Sequence, residues 1–284
     1  MVSCYTNVPL KKSVSAMKID YDIQAIRSYI NWDYFYYAWG MHNKPDAEKD
    51  KLRHEAEETL TMLQGRYRTH ALFELFDAHS EGDDVVIDGG AEQGARGKRV
   101  PFLRQQQPGT DFLCLADFIH PLSDRIGVFA TSVDMGLETD FDHDAYQKMM
   151  VQLLADRLAE ATAERMHEEV RKHYWGYAPD EHLTMQELHI EKFQGIRPAV
   201  GYPSLPDTSL NFVIDELIGM RQIGIRLTES GAMKPHASVS GLMMAHPKAR
   251  YFDLGKIGED QLSDYAHRRG LPVEVMRKFL VSHL

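Results

Sequence analysis

The chain has 284 residues, 43% of them hydrophobic and 26% charged, a composition that supports a substantial buried core. Its 32 basic and 42 acidic side chains leave a net charge of −10, which argues against a general nucleic-acid footprint and favours solubility. No apolar run approaches the ~18 residues of a membrane span. Lys11 and Lys12 lead into no signal-peptide core, and two cysteines, Cys4 and Cys114, make neither a disulfide framework nor a zinc cluster; a cytoplasmic location is expected.

In chain order, residues 1–20 read as a polar, weakly patterned tail and residues 21–284 as one domain, because no Pro/Ser-rich linker or internal repeat interrupts them. Ile23, Ile26, Tyr29 and Ile30 follow at helical spacing, continued by the aromatic run from Trp32 to Trp39. Residues 47–75 also read as helical, with Leu60, Leu63 and Tyr67 on one stripe. Strands are expected over 83–87, 112–119 and 126–133, where β-formers concentrate. The longest signal runs from His143 to Tyr174. There Tyr146, Met150, Leu153, Leu154, Leu158, Ala161 and Val170 lie close to the i, i+3, i+4 spacing of a half-buried helix. Glu160 sits at the margin of that stripe, facing either solvent or a cleft. Further on, 212–220 reads as a helix and 223–228, 237–245 and 251–254 as strands, before a terminal helical pair over 260–269 and 273–283.

Two motifs invite a cofactor and fail on context. Asp77-Ala78-His79-Ser80-Glu81-Gly82 fits D-x-H-x-x-G, whose histidine ligates cobalt in corrinoid-binding modules. The downstream elements that would cradle the nucleotide tail are missing at suitable distance, and Gly89-Gly90 comes too soon. Val86 to Gly94 imitates the glycine-rich turn of nucleotide-dependent methyltransferases, but no apolar stripe follows to pack a helix on a sheet. A hairpin or loop is expected there.

The stretch Gln194-Gly195-Ile196-Arg197-Pro198-Ala199-Val200-Gly201-Tyr202-Pro203 is more informative. Two prolines restrict Arg197 and Tyr202 to extended backbone, and Gly195 and Gly201 permit bends or close approach. The loop therefore holds one guanidinium and one phenol in fixed directions. A guanidinium fork suits a carboxylate or phosphate, although a surface ion pair is an equally good local reading. Downstream, Ala237-Ser238-Val239-Ser240-Gly241 offers small alternating residues for a close backbone approach, and Tyr251-Phe252 offers two aromatic faces.

With these segments in place, the chain resembles the S-adenosylmethionine (AdoMet)-binding activation domain of cobalamin-dependent methionine synthase. The matching strings include Arg104-Gln105-Gln106, Cys114 to Phe118, Leu154 to Ala161, Tyr174 to Pro179, Gly195 to Pro203, Leu227 to Ser230, Ala237 to Gly241, His246-Pro247 through Tyr251, and Asp264-Tyr265-Ala266 with Arg268-Arg269-Gly270. They keep the family's order from about Ile23 to the end. The resemblance implies an α+β fold: a single C-shaped domain with a twisted antiparallel sheet flanked by helices, and AdoMet in a shallow groove.

It also implies roles. Arg197 would grip the AdoMet carboxylate, the backbone at Ala199 and the ring of Tyr202 would line the adenosine, and Tyr251 and Phe252 would flank the ligand. Glu160 matches an acid of the site. Phe252 stands where Tyr is expected, and Asn31 where an Asp meets the ligand's amino group, so a hydroxyl and a charge are missing. The implied cofactors are AdoMet and a cobalamin carried by a partner chain. The 284 residues do not hold homocysteine, folate and cobalamin modules. The expected role is therefore a reactivation subunit that docks on a cobalamin-bearing methionine synthase chain and takes electrons from a flavodoxin-like donor. A basic patch at Arg96, Lys98 and Arg99 would offset repulsion between two acidic proteins. Alternatives are an AdoMet sensor without catalysis and an activator of another corrinoid methyltransferase.

Overall fold

The computed structural model describes residues 16–88 and 97–284. Most of the expected tail, Cys4, the glycine-rich turn after Asp88 and Arg96 lie outside the described residues. Met17–Asp22 is a strand, β1, so the tail expected to reach residue 20 stops earlier. Its antiparallel ladder to a central strand gives this polar segment order that its composition does not signal. The Asp22 carboxylate accepts from Gln24 N and starts α1 (Ile23–Ile26). A 3-10 turn follows at Arg27–Tyr29, then α2 (Trp32–Ala38). The continuous helix anticipated up to Trp39 is broken at Asn31, whose Oδ1 accepts from Asp33 N at 3.1 Å and caps α2.

Helix α3 (Asp46–Leu63) is shorter than the 47–75 stretch expected to be helical. Gly65, at φ 74°, turns the chain into β2 (Arg68–Glu81). This strand is buried on both faces through much of its length, so it lacks the polar alternation that marks a strand and imitates a helical stripe. The D-x-H-x-x-G motif is its end and the turn into β3 (Asp84–Ile87), with His79 Nε2 3.3 Å from Glu81 Oε1. Strand β4 (Lys98–Pro101) follows.

The expected strand at 112–119 is instead a 3-10 turn, Leu115–Phe118, because the Asp117 carboxylate accepts from Cys114 N at 2.8 Å and from the Arg104 guanidinium. Next come β5 (Asp124–Val133), α4 (Gly136–Thr139) and α5 (Ala145–Glu169), which closes in a π turn at Val170–Tyr174. The long helical reading holds. Helices α6 (Met185–His189) and α7 (Leu210–Ile218) precede a 3-10 turn at Met220–Ile223. The short strands β6 (Arg226–Leu227) and β7 (Met233–Lys234) then lead to β8 (Ser238–Met243). Residues 251–254, expected as a strand, are irregular. The chain closes with α8 (Glu259–Arg269) and α9 (Val273–Phe279). Among the described residues no helix is long and apolar enough to cross a membrane.

The fold is α+β, as anticipated. The main sheet is wholly antiparallel in the order β4-β3-β2-β5-β8, and β1 shares with β3 the edge of β2 that faces away from β5. Alternate residues of β2 and β5 feed two cores. Ala71, Phe73, Phe129 and Val133 pack with Leu154, Leu158 and Met166 of α5. Leu72, Phe76, Val128 and Ala130 pack with Leu210, Val213 and Ile214 of α7. Helices α8 and α9 gather a third cluster around Leu254, Leu262 and Met276.

The segment carrying Arg197 runs along β8 without being a regular strand. Ile196 and Met244 exchange two backbone hydrogen bonds of 2.9 and 3.0 Å, Leu242 N donates to Pro198 O at 3.0 Å, and Val200 N donates to Ser240 O at 2.9 Å. This approach depends on glycine. A Cβ on Gly241 would lie 2.2 Å from Pro198 O, and one on Gly195, at φ 85°, would lie 2.4 Å from Met244 O. Gly241→Ala is therefore expected to destabilise the fold by about 1–3 kcal/mol, the range for overpacking. Thermal denaturation checks this, and an unchanged melting temperature would contradict the close approach.

Candidate functional site

A groove of about 540 Å³ opens between α5 and the segment that runs along β8. All seven residues singled out from the sequence line it: Asn31, Glu160, Arg197, Ala199, Tyr202, Tyr251 and Phe252. Helix α5 supplies one wall through Arg157, Glu160, Ala161 and Glu164, positions that share a face at i, i+3, i+4 and i+7. Glu160 thus faces the cleft rather than solvent. The same spacing would have found Arg157 and Glu164, which the sequence reading passed over. Tyr29, Tyr34 and Glu191 also line the groove. Glu191 has a left-handed backbone, φ 59°, which nothing in its neighbours announces.

Arg197 is held from three sides. Its backbone N donates to Tyr251 Oη at 2.8 Å, Nη2 donates to Glu164 Oε2 at 3.0 Å, and Nη1 lies 3.3 Å from His167 Nδ1. Nε has no protein partner among the described residues. Burial is the largest influence and works against the charge, but Glu164, Tyr251 and Glu160 together outweigh it and hold the guanidinium firmly protonated. Tyr251 therefore has a second task beyond presenting a ring: its hydroxyl fixes the backbone that carries the guanidinium. Burial pushes that hydroxyl up to about 12, so it stays protonated.

His167 is fully buried behind the groove, edge-on to Phe193 with ring centroids 5.1 Å apart. Burial first, then the charges of Arg171 and Arg197, hold its pKa well below the ordinary 6.5. As a neutral ring it accepts from Arg197 through Nδ1, which places its proton on Nε2, 3.4 Å from Tyr177 Oη; that hydroxyl in turn donates to Gln194 O at 3.3 Å. Arg171, also fully buried, donates to Glu181 from Nε at 2.9 Å and from Nη2 at 2.6 Å and lies over the Phe193 ring.

At the far end, Tyr202 Oη donates to Glu160 Oε1 at 2.5 Å, and burial with that neighbouring carboxylate raises the phenol's pKa. Burial also raises the Glu191 carboxyl. The groove therefore carries four carboxyl groups, those of Glu160, Glu164, Glu191 and Asp253, against the guanidinium groups of Arg157 and Arg197, an environment that suits a ligand with both a carboxylate and a cation. Asn31 contributes no charge, and its Oδ1 is spent on the α2 cap. Phe252 supplies an aromatic edge without a hydroxyl. Lys98 and Arg99 lie elsewhere, paired with Glu216, Glu81 and Asp84, and Arg96 lies outside the described residues. Among the described residues no set of three His, Cys, Asp or Glu side chains converges as a metal site.

The sign of the His167 effect on stability follows from its lowered pKa. Below the unfolded value of 6.5, the unfolded chain takes up a proton that the folded chain refuses, so stability falls as pH drops. The contribution is about 1.4 kcal/mol per pH unit, down to the folded value. Urea denaturation from pH 7 to pH 5 is expected to show a shallower decline in His167→Gln than in the wild type; equal slopes would mean that His167 titrates freely.

Comparison with known proteins places the fold. The family model described as the vitamin B12 dependent methionine synthase, activation domain, matches residues 22–270. A crystal structure of the MetH reactivation domain bound to AdoHcy (S-adenosylhomocysteine) is similar, with a TM-score of 0.88 and 37% sequence identity over 95% of this chain and 90% of that one. Family model and fold point the same way: the chain belongs to the activation-domain family of vitamin B12-dependent methionine synthases.

Proposed function

We propose that the groove binds AdoMet and that the chain supports reductive methylation of cobalamin held by a partner methionine synthase chain. The observation that carries this reading is the half-buried Arg197, fixed by Glu164, His167 and Tyr251 with its Nε unspent among the described residues, in a groove beside two adjacent aromatic residues. The related MetH domain bound to AdoHcy, the demethylated form of the same ligand, supports it.

On this reading Arg197 takes the ligand carboxylate, Ala199 and Tyr202 line the adenosine, and Tyr251 and Phe252 flank the ligand. Glu160 orients Tyr202 through their hydrogen bond. Asn31 closes the groove as a polar wall without charge. The carboxyl groups of Glu160, Glu164 and Glu191 favour a sulfonium over a neutral thioether. Cobalamin supplies the methyl-accepting cobalt, and a flavodoxin-like donor in the same cytoplasmic compartment supplies one electron for each methyl group transferred. This chain's residues need no acid, base or nucleophile for that step. Their task is to hold the methyl donor at a fixed angle to the incoming corrin face.

Two outcomes test the reading. In calorimetry, AdoMet and AdoHcy are expected to bind the wild type, and Arg197→Ala is expected to weaken both by about tenfold to a hundredfold, the loss of a charge-assisted pair. Binding unchanged in that variant would reject the assignment. Mixing the protein with AdoMet, a one-electron reductant and a cob(II)alamin-loaded partner chain is expected to yield the methylcobalamin spectrum. Its absence with every cobalamin-bearing partner would leave only ligand binding.

A further inference from the structure

We infer that Glu164 accepts the ligand's α-ammonium group, so that Arg197 and Glu164 together receive the zwitterionic amino-acid end of the ligand. This rests on the AdoMet reading above and names the group that recognises the amino end.

An α-amino acid carries its carboxylate and ammonium on one carbon, so its receptor needs a cation and an anion in close contact. Arg197 Nη2 and Glu164 Oε2 provide them 3.0 Å apart. An ionised carboxylate has about four acceptor sites. Glu164 spends one, on Arg197, and its Oε1 is buried with no hydrogen-bond partner. A buried carboxylate oxygen without a donor is costly, and a charged donor entering the groove relieves that cost. The terminal torsion of glutamate is broad and roughly two-fold, so either oxygen can turn toward the groove.

The competing groove acceptors are placed less well. Glu160 Oε1 already accepts from Tyr202 Oη at 2.5 Å. Asn31 Oδ1 accepts from Asp33 N at 3.1 Å to cap α2, and it carries no charge. Asp253 Oδ1 accepts from Gly255 N at 2.8 Å, and Asp253 has no ion pair or hydrogen bond to Arg197 among the described residues. Glu191 has no hydrogen bond or ion pair to Arg197, whereas Glu164 has both. Glu164 also projects from the middle of α5, whose rigid frame fixes the spacing between acid and guanidinium.

The test separates recognition of the ammonium from mere support of Arg197. Affinities of AdoHcy and of its des-amino analogue, in which hydrogen replaces the α-amino group, are measured by calorimetry on wild type, Glu164→Gln and Asn31→Ala. The wild type is expected to prefer AdoHcy by about tenfold or more. Glu164→Gln is expected to lose most of that preference while holding the des-amino analogue within about twofold. Asn31→Ala is expected to keep the preference. Equal losses for both ligands in Glu164→Gln would make Glu164 only a support for Arg197 and overturn the inference. Loss of the preference in Asn31→Ala would overturn it in favour of Asn31, even if Glu164→Gln does not fold. If folded wild type binds neither ligand, the AdoMet reading fails, and this inference with it; binding without preference overturns the inference alone.

Discussion

The structure turns on one half-buried cation at the groove, Arg197. A guanidinium taken out of water is tolerable only where its donors find partners, and Arg197 finds them in Glu164, in a neutral His167 and in whatever enters the groove. Each partner brings its own requirement. Glu164 must face the groove from α5. His167 must stay unprotonated, which its complete burial ensures. The backbone of Arg197 must hold still, which the Tyr251 hydroxyl and the ladder to β8 accomplish.

These requirements explain why distant segments share one site. Helix α5 packs on one face of the sheet through Leu154, Leu158 and Met166, and its outer stripe carries Arg157, Glu160 and Glu164. The segment along β8 continues the sheet edge and brings Arg197 and Ala199 against that stripe. Asn31 arrives from the cap that precedes α2, and Tyr251 and Phe252 from the irregular chain after β8. Burial of two hydrophobic layers on one antiparallel sheet is therefore what sets the separation of the groove walls.

Much of this was legible in the sequence. The long periodic stretch gave α5, and the Pro/Gly pattern around Arg197 marked a stiff loop before any geometry was known. All seven residues chosen for the site line one groove. What escaped had physical causes. Strand β2 is covered on both faces, so its uniform apolar character imitated a helix. The segment at 112–119 has the composition of a strand, but the Asp117 cap and the Arg104 pair give its backbone a better alternative. Asn31 ends a turn and starts a helix, a role that periodicity across it concealed. Glu164 and His167 read as ordinary polar positions of α5, because their value arises from Arg197, 33 and 30 residues away along the chain.

The glycine at 241 has a wider meaning. With no side chain there, two stretches of backbone lie against each other like adjoining plies, and the guanidinium is mounted on the outer one. Its bearing is therefore inherited from main-chain geometry, which shifts less than side-chain packing when neighbouring positions drift. A side chain exchanged on the rim can therefore leave the heading of that guanidinium intact.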